Sequence, residues 1–263
     1  MRRRVFARLV LAVTAVCILF PMTVLLVWSV TGRWPWPLLA PENYSLRTIR
    51  ELFHGSASLP RLLLSSCMLA STVAVLGTFV GILTARSTEL YNFHGRELAR
   101  RCALLPMLIP GTVFAVGIQI TLLRIGLADT AAGVVLVHLV VAVPYCITIM
   151  ADMTRAVGTA YEEEAMVLGA GPLRAFFSVT LPRLVPGILS SLSMGFILSY
   201  SQYFTTLIVG GGRIKTLALV LIPYIQSGDR ALSSVYSVAF VGSALLVFSV
   251  FEFLLRQTRL DSR

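Results

Sequence analysis

Seven hydroxyl- or amide-bearing residues, Ser199, Tyr200, Ser201, Gln202, Tyr203, Thr205 and Thr206, crowd into a stretch that is otherwise apolar. In hydrocarbon such groups face a bundle interior or a water-filled path, or they hydrogen-bond one helix to another. Gln119 and Tyr145, in two other apolar stretches, are candidates for the same path. Three consecutive glutamates, Glu162 to Glu164, form a second polar group. The run from Gly210 to Thr216 has the look of a phosphate-binding loop, but Ile214 precedes Lys215 where glycine is required, and no strand leads into it. Bond-breaking constellations do not stand out. The motif H-E-x-x-H is absent, and His54, His94 and His138 lie in three unrelated segments. Cys17, Cys67, Cys102 and Cys146 are isolated in or beside apolar runs and read as small apolar residues. No catalytic residue and no metal site is expected.

The elements that must hold these residues follow from composition. Of 263 residues 57% are hydrophobic and 13% charged, with a mean hydropathy of +0.84, whereas soluble domains run at about 45–50% and about 25%. Long apolar runs exclude a soluble globule, a disordered chain, a collagen and a disulfide-stapled module. A net charge of +10 would raise nucleic acid as a partner, but only Arg2 to Arg4 form a basic run, so none is expected. Crossing about 30 Å of hydrocarbon takes about 20 mostly apolar residues in a helix. Six runs qualify, at about 9–30, 62–85, 102–122, 131–150, 188–209 and 235–255. The first is too long for a signal peptide and no Ala-x-Ala-like site follows it, so it reads as an uncleaved span. Trp28, Trp34 and Trp36 suit the headgroup level at its end. The fold class expected is therefore all-α, a single polytopic membrane domain over 1–263. Fourteen Arg fall on the side of the termini and eight Lys or Arg on the other, which places both termini of a multi-pass membrane protein in the cytoplasm.

That orientation leaves an inner loop at about 151–186, long enough to be functional. From Tyr161 it reads Y-E-E-E-A-M-V-L-G-A-G-P-L-R-A-F-F-S-V-T-L-P-R-L-V-P-G-I. The glutamates favour the positive end of a helix, Gly169 and Gly171 break it, and Pro172 restarts it. Leu173, Phe176, Phe177 and Leu181 recur at helical spacing, and Pro182 and Pro186 end the second helix before the fifth span. A short helix in the membrane plane is expected, for which a lipid anchor is the plain alternative. In the third span Pro106, Pro110 and Gly111 mark either a broken helix near a translocation route or only a kink. Gly77-x-x-x-Gly81 is a weak helix-packing signal.

Glu163, Ala165, Gly169, Val179, Leu181 and Pro182 match E-A-A, three residues, G, nine residues, I-x-L-P, with Glu164 where the middle alanine is usual and Val for Ile. At this point the chain resembles the permease subunits of binding-protein-dependent ABC importers, and the six-span layout and Gly95 to Arg101 extend the likeness. The resemblance implies a coupling helix that docks into a groove of a cytoplasmic ATPase. Glu163 would be its charged contact to the ATPase, Gly169 its break, and Leu173 to Phe177, with Phe176, its apolar plug; Glu164, Ala165, Ala170, Leu181 and Pro182 complete the coupling residues that the resemblance implies. It implies as partners an ABC ATPase dimer, a second permease subunit, homologous or identical, a periplasmic solute-binding protein and the lipid bilayer. No cofactor is expected on this chain, with ATP and Mg on the partner ATPase.

The pattern T-T-L-I-V-G-G-G-R-I-K-T-L resembles the branch serving polyamines, thiamine, iron(III) and phosphonates. A polyamine-like or thiamine-like solute is the expected cargo, although Ser201-Gln202 stands where polyamine permeases carry an acidic pair. The substrate path would be lined by Ser199, Ser201, Gln202, Tyr203, Thr205, Thr206, Gln119 and Tyr145. The rival readings are an ATP-independent secondary transporter or channel, for which His138 is the one buried titratable candidate, and a membrane enzyme. The topology is testable. In a cysteine-free background, cysteines at Ser45 and Ser227 should react with an impermeant thiol reagent on intact cells and one at Arg174 should not; the reverse labelling would invert the orientation.

Overall fold

A computed structural model describes residues 2–35, 37–54 and 58–260; Trp36 of the aromatic belt and Arg263 of the C-terminus lie outside them. In chain order the elements are α1 (Arg2–Ser29), β1 (Thr31–Arg33), β2 (Asn43–Tyr44), α2 (Arg47–His54), α3 (Leu59–Leu90), α4 (Arg96–Leu104), α5 (Gly111–Arg124) and α6 (Ala131–Val157). They continue as α7 (Ala160–Val167), α8 (Pro172–Ala175), α9 (Leu181–Tyr200), α10 (Phe204–Gly210), α11 (Leu217–Ser227) and α12 (Arg230–Leu260). The architecture is all-α apart from the antiparallel pair β1–β2, in which Thr31 faces Tyr44. Among the described residues five helices, Phe6–Ser29, Leu59–Leu90, Ala131–Val157, Pro172–Tyr200 and Arg230–Gln257, are long and apolar enough to cross a membrane. A bent pair, α4 with α5, supplies a sixth if it counts as one span.

Three expectations are corrected. The third span is not one helix over 102–122. It bends by 101° between Leu108 and Gly111, because Pro106 and Pro110 cannot donate backbone bonds and Ile109 turns extended. The 14 residues of α5 rise about 21 Å, short of about 30 Å of hydrocarbon. The fifth span does not run unbroken over 188–209 either, since α9 stops at Tyr200 and α10 starts at Phe204. Nor do Pro182 and Pro186 end the loop's second helix. Residues Phe176–Thr180 form a widened π-type turn, and Pro182 follows in the first turn of α9, where proline is tolerated. Helix therefore runs from Pro172 to Tyr200. The loop between the fourth and fifth spans is thus shorter than 151–186, because α6 continues to Val157. Sequence reading also missed α2, the strand pair and α11, all within its two longer outer loops.

The chain forms two compact units, Met1–Leu63 with Val220–Ser243, and Leu64–Leu219 with Ala244–Arg263. In the first, Trp28 and Trp34 stack at 4.7 Å and the Arg230 guanidinium lies 5.4 Å from the Trp28 ring. In the second, α6 is the central element. Thr130 caps its start by accepting from the Gly133 N–H at 3.1 Å. Its buried residues Val134, Val137 and Ala142 pack with Leu69 and Val73 of α3, Leu122 of α5 and Val209 of α10. Further along, Met150 and Ala151 pack with Ala85 of α3 and Leu184 of α9.

Cys146, on α6, is buried and free, whereas Cys17 and Cys102 are exposed, because their helices are not covered at those positions. Glycines surround Cys146. A Cβ at Gly81 would sit 2.9 Å from its carbonyl oxygen, and one at Gly77 3.2 Å from its sulfur. A Cβ at Gly195 of α9 would meet the Ala74 Cα at 3.1 Å. The glycine pair of α3 is therefore a real packing surface. Gly81→Leu should lower the stability of the detergent-purified chain by about 1–3 kcal/mol, read as a drop in its thermal unfolding midpoint. Gly117→Ala, with nothing within 4 Å of the added carbon, should not lower that midpoint and should raise it slightly, alanine being the better helix former by about 0.5–1 kcal/mol.

Candidate functional site

The loop joining α6 to α9 is set by its backbone. Helix α7 ends where Gly169 takes a φ of +91°. The Gly169 N–H donates to Met166 O and the Ala170 N–H to Ala165 O, both at 3.0 Å, the paired bonds of a Schellman cap. Gly171 does not share this role; its φ is −66°, open to any residue. Pro172 then occupies the first turn of α8. Glu163 and Glu164 are exposed, Ala165 and Ala170 half-buried, Leu181 half-buried and Pro182 exposed. The apolar tip differs from expectation. Leu173 and Phe177 are exposed, but Phe176 turns inward beneath Arg86, whose guanidinium carbon lies 4.6 Å from the ring centroid. Val167 and Leu168, which the sequence reading passed over, are 87% and 88% exposed and extend the tip.

Glu162 behaves unlike its two neighbours. Arg86 of α3 donates through both terminal nitrogens to both carboxylate oxygens at 3.1–3.2 Å, and Thr180 Oγ1 donates to Oε2 at 2.8 Å. Burial pushes this carboxyl up, but the bonds from Arg86 and Thr180 and the charge of Arg86 outweigh it and hold it below the usual carboxylate range. The pair therefore contributes at neutral pH and is lost only as the pH falls through that lowered value. Beside it, the Arg183 guanidinium lies 4.0 Å from the Tyr161 ring.

The polar group of the fifth span gathers at its break. Ser199 of α9 and Thr206 of α10 both bond to His138 of α6, at Nδ1 (2.9 Å) and Nε2 (3.0 Å). Thr206 Oγ1 also reaches the Gln202 carbonyl at 2.7 Å, and Thr205 Oγ1 donates to the Gln202 side-chain oxygen at 2.8 Å. Ser199, Thr205 and Thr206 are buried. Ser201 is exposed and bonds back to Ile197 O at 2.9 Å. Gln202 and Tyr203 are half-buried at the break itself. Gln119 of α5 donates to the Ile208 carbonyl at 3.2 Å, which joins α5 to α10. Tyr145, half-buried on α6, belongs to a different turn of that helix from His138. Of the eight predicted path residues, six thus lie at or beside the break, and Gln119 and Tyr145 lie elsewhere. His138 was singled out in the sequence only as a titratable group; an ionisable residue inside an apolar run is the signal that pointed to it.

Among the described residues no three His, Cys, Asp or Glu side chains come together as a metal site. Apolar helices, two interrupted spans and a capped loop with an exposed apolar tip define a helical, multi-span membrane protein. More particularly, residues 77–261 match the family described as binding-protein-dependent transport system inner membrane component, and the chain belongs to it. It is 30% identical over 200 residues to the molybdenum transport system permease protein ModB of Mycobacterium bovis, covering 69% of this chain and 74% of that protein. It is 27% identical over 195 residues to the molybdate/tungstate transport system permease protein WtpB of Pyrococcus abyssi, covering 74% and 78%. Over 197 residues it is 26% identical to the putrescine transport system permease protein PotI of Escherichia coli K12, covering 71% and 68%. A chain in the crystal structure of a bacterial ABC transporter that imports the acidic polysaccharide alginate shares the fold, with a TM-score of 0.69 over 98% of this chain and 96% of that one, at 16% identity. The chain is therefore a multi-pass inner-membrane permease component of an ABC importer; it is not an enzyme, and ATP is hydrolysed by a separate subunit.

Gly169 is the residue on which the loop geometry turns. Gly169→Val should place a branched side chain at positive φ at a cost of about 1–3 kcal/mol and misdirect α8. Limited proteolysis of the purified chain should then cut faster between Val167 and Arg174, with the spans still inserted.

Proposed function

We propose that this chain is one half of a translocation pathway, one permease domain over 1–263 paired with a second permease subunit, homologous or identical, above an ABC ATPase dimer. A periplasmic binding protein delivers the solute, and both termini of the chain are cytoplasmic. The observation that carries this reading is the tip formed by Val167, Leu168, Leu173 and Phe177. Such large apolar side chains, exposed on a loop fixed by a Schellman cap, are shaped for a groove in another protein. In this reading Glu163 and Glu164 meet basic groups on the ATPase, ATP and Mg stay on that partner, and the chain itself binds no cofactor. The broken fifth span lines the path with Ser201, Gln202 and Tyr203, while Ser199, Thr205 and Thr206 hold the break in shape.

For cargo, the resemblance of the 205–217 segment favours a polyamine-like or thiamine-like solute, and the putrescine permease among the relatives supports it. A second reading, a small oxyanion, is favoured by a specific observation. No Asp or Glu occurs between Leu181 and Arg213 to meet a polycation, and two of the relatives serve molybdate, tungstate or molybdenum. Titration calorimetry of the cognate binding protein with putrescine, thiamine and molybdate separates the two.

The pathway itself is tested by Gln202→Leu in the complete importer. The ATPase should remain bound to the membrane subunits while solute uptake falls by about tenfold or more, the loss expected of a buried polar contact worth about 1.4 kcal/mol or more. Unchanged uptake would reduce the group at the break to helix packing.

A further inference from the structure

The importer reading assigns the loop between α6 and α9 to the ATPase but leaves Glu162 and Arg86 without a role. The loop is joined covalently to α6 and α9. Arg86 adds a third attachment, to α3. Its side chain and that of Glu162 are 17% and 13% exposed, and the two meet through paired nitrogens and oxygens at 3.1–3.2 Å. The same carboxylate accepts from Thr180 at 2.8 Å, on the widened turn that leads into α9. Arg86 also covers Phe176 of that turn. One carboxylate thus ties α7, α3 and the root of α9 together, while Glu163 and Glu164 face outward. Paired Arg–carboxylate bonds fix direction as well as distance, and a widened helical turn is a place where helices yield and where function gathers.

We propose that Arg86 and Glu162 form a transmission joint, positioning residues that convey displacement of the loop into α3, so that α3, α6 and α9 respond to the ATPase as one body. This rests on the importer reading above. Neither residue touches the ATPase or the solute in this proposal; each acts through the other. Thr180 sets the angle at which the loop's second helix leaves the joint.

The test uses the whole importer, reconstituted from both permease subunits, the ATPase and the binding protein as purified from cells. Phosphate release from Mg-ATP is measured with and without the binding protein. R86E and E162R each place like charges together and should retain the bound ATPase but lose stimulation by about tenfold, whereas the exchanged pair R86E/E162R should recover most of it, as expected for directly coupled residues. T180V, which keeps the shape of the turn and removes one bond to Glu162, should give an intermediate loss. The proposal is overturned if the exchanged pair is no better than the worse single variant, or if the single variants stay fully stimulated. It is equally overturned if stimulation falls only in proportion to ATPase lost from the complex, for then the pair merely keeps the loop folded. Absence of stimulation in the unaltered importer would instead overturn the importer reading, and the joint with it.

Discussion

A peptide group that leaves a helix inside hydrocarbon must find its partner within the protein, and the two interrupted spans of this chain are organised around that constraint. At the fifth span the Ser201 N–H still reaches Ile197 O at 3.1 Å and the Gln202 N–H reaches Ser199 O at 3.2 Å. The Gln202 carbonyl, beyond the end of α9, accepts from Thr206 Oγ1 instead. His138 spans the gap from α6, bonding one side chain before the break and one after it. The polar density that first marked this stretch is in large part the means by which a break can exist there. Ser201, its hydroxyl turned back onto Ile197 O, is what remains exposed at the break.

The same constraint makes α6 central. It packs or bonds to α3, α5, α9 and α10, and it can do so because it meets glycine faces. Gly77 and Gly81 on one side and Gly195 on another bring backbones within contact of Cys146. Without a hydrophobic force between helices in lipid, close approach of this kind supplies much of the association. The breaks lie on elements that pack against α6, so their geometry is referred to the most closely held helix of the unit.

Much of this was legible beforehand, and the parts that were not share a physical cause. Apolar runs, the Gly169 cap and the Pro172 start follow from local chemistry that single residues declare. The break at Ser201–Tyr203 lacks glycine and proline; there the Ser201 and Thr206 hydroxyls take backbone carbonyls, an effect that only a tertiary partner such as His138 decides. The helix stop read at Pro182 failed because the preceding turn widened, and that depends on Thr180 and Phe176 meeting Glu162 and Arg86. Which of three consecutive glutamates faces inward is set by helix phase, and helix phase by where Gly158 ends α6. The pairing of Arg86 with Glu162, across 76 residues of chain, is a property of the folded arrangement.

A loop that is only a covalent link between two spans would move them through its ends, and slack at Gly158 or Gly169 would absorb the motion. The arrangement here reduces that slack. The Schellman cap fixes α7 against α8, and Glu162 fixes α7 against α3 and against the turn leading into α9. A force on the exposed tip therefore meets a body with attachments to three spans. The residues that make the attachment are charged and partly buried, so removing one leaves its partner poorly solvated. That asymmetry is what distinguishes the inward glutamate from the two that remain in water.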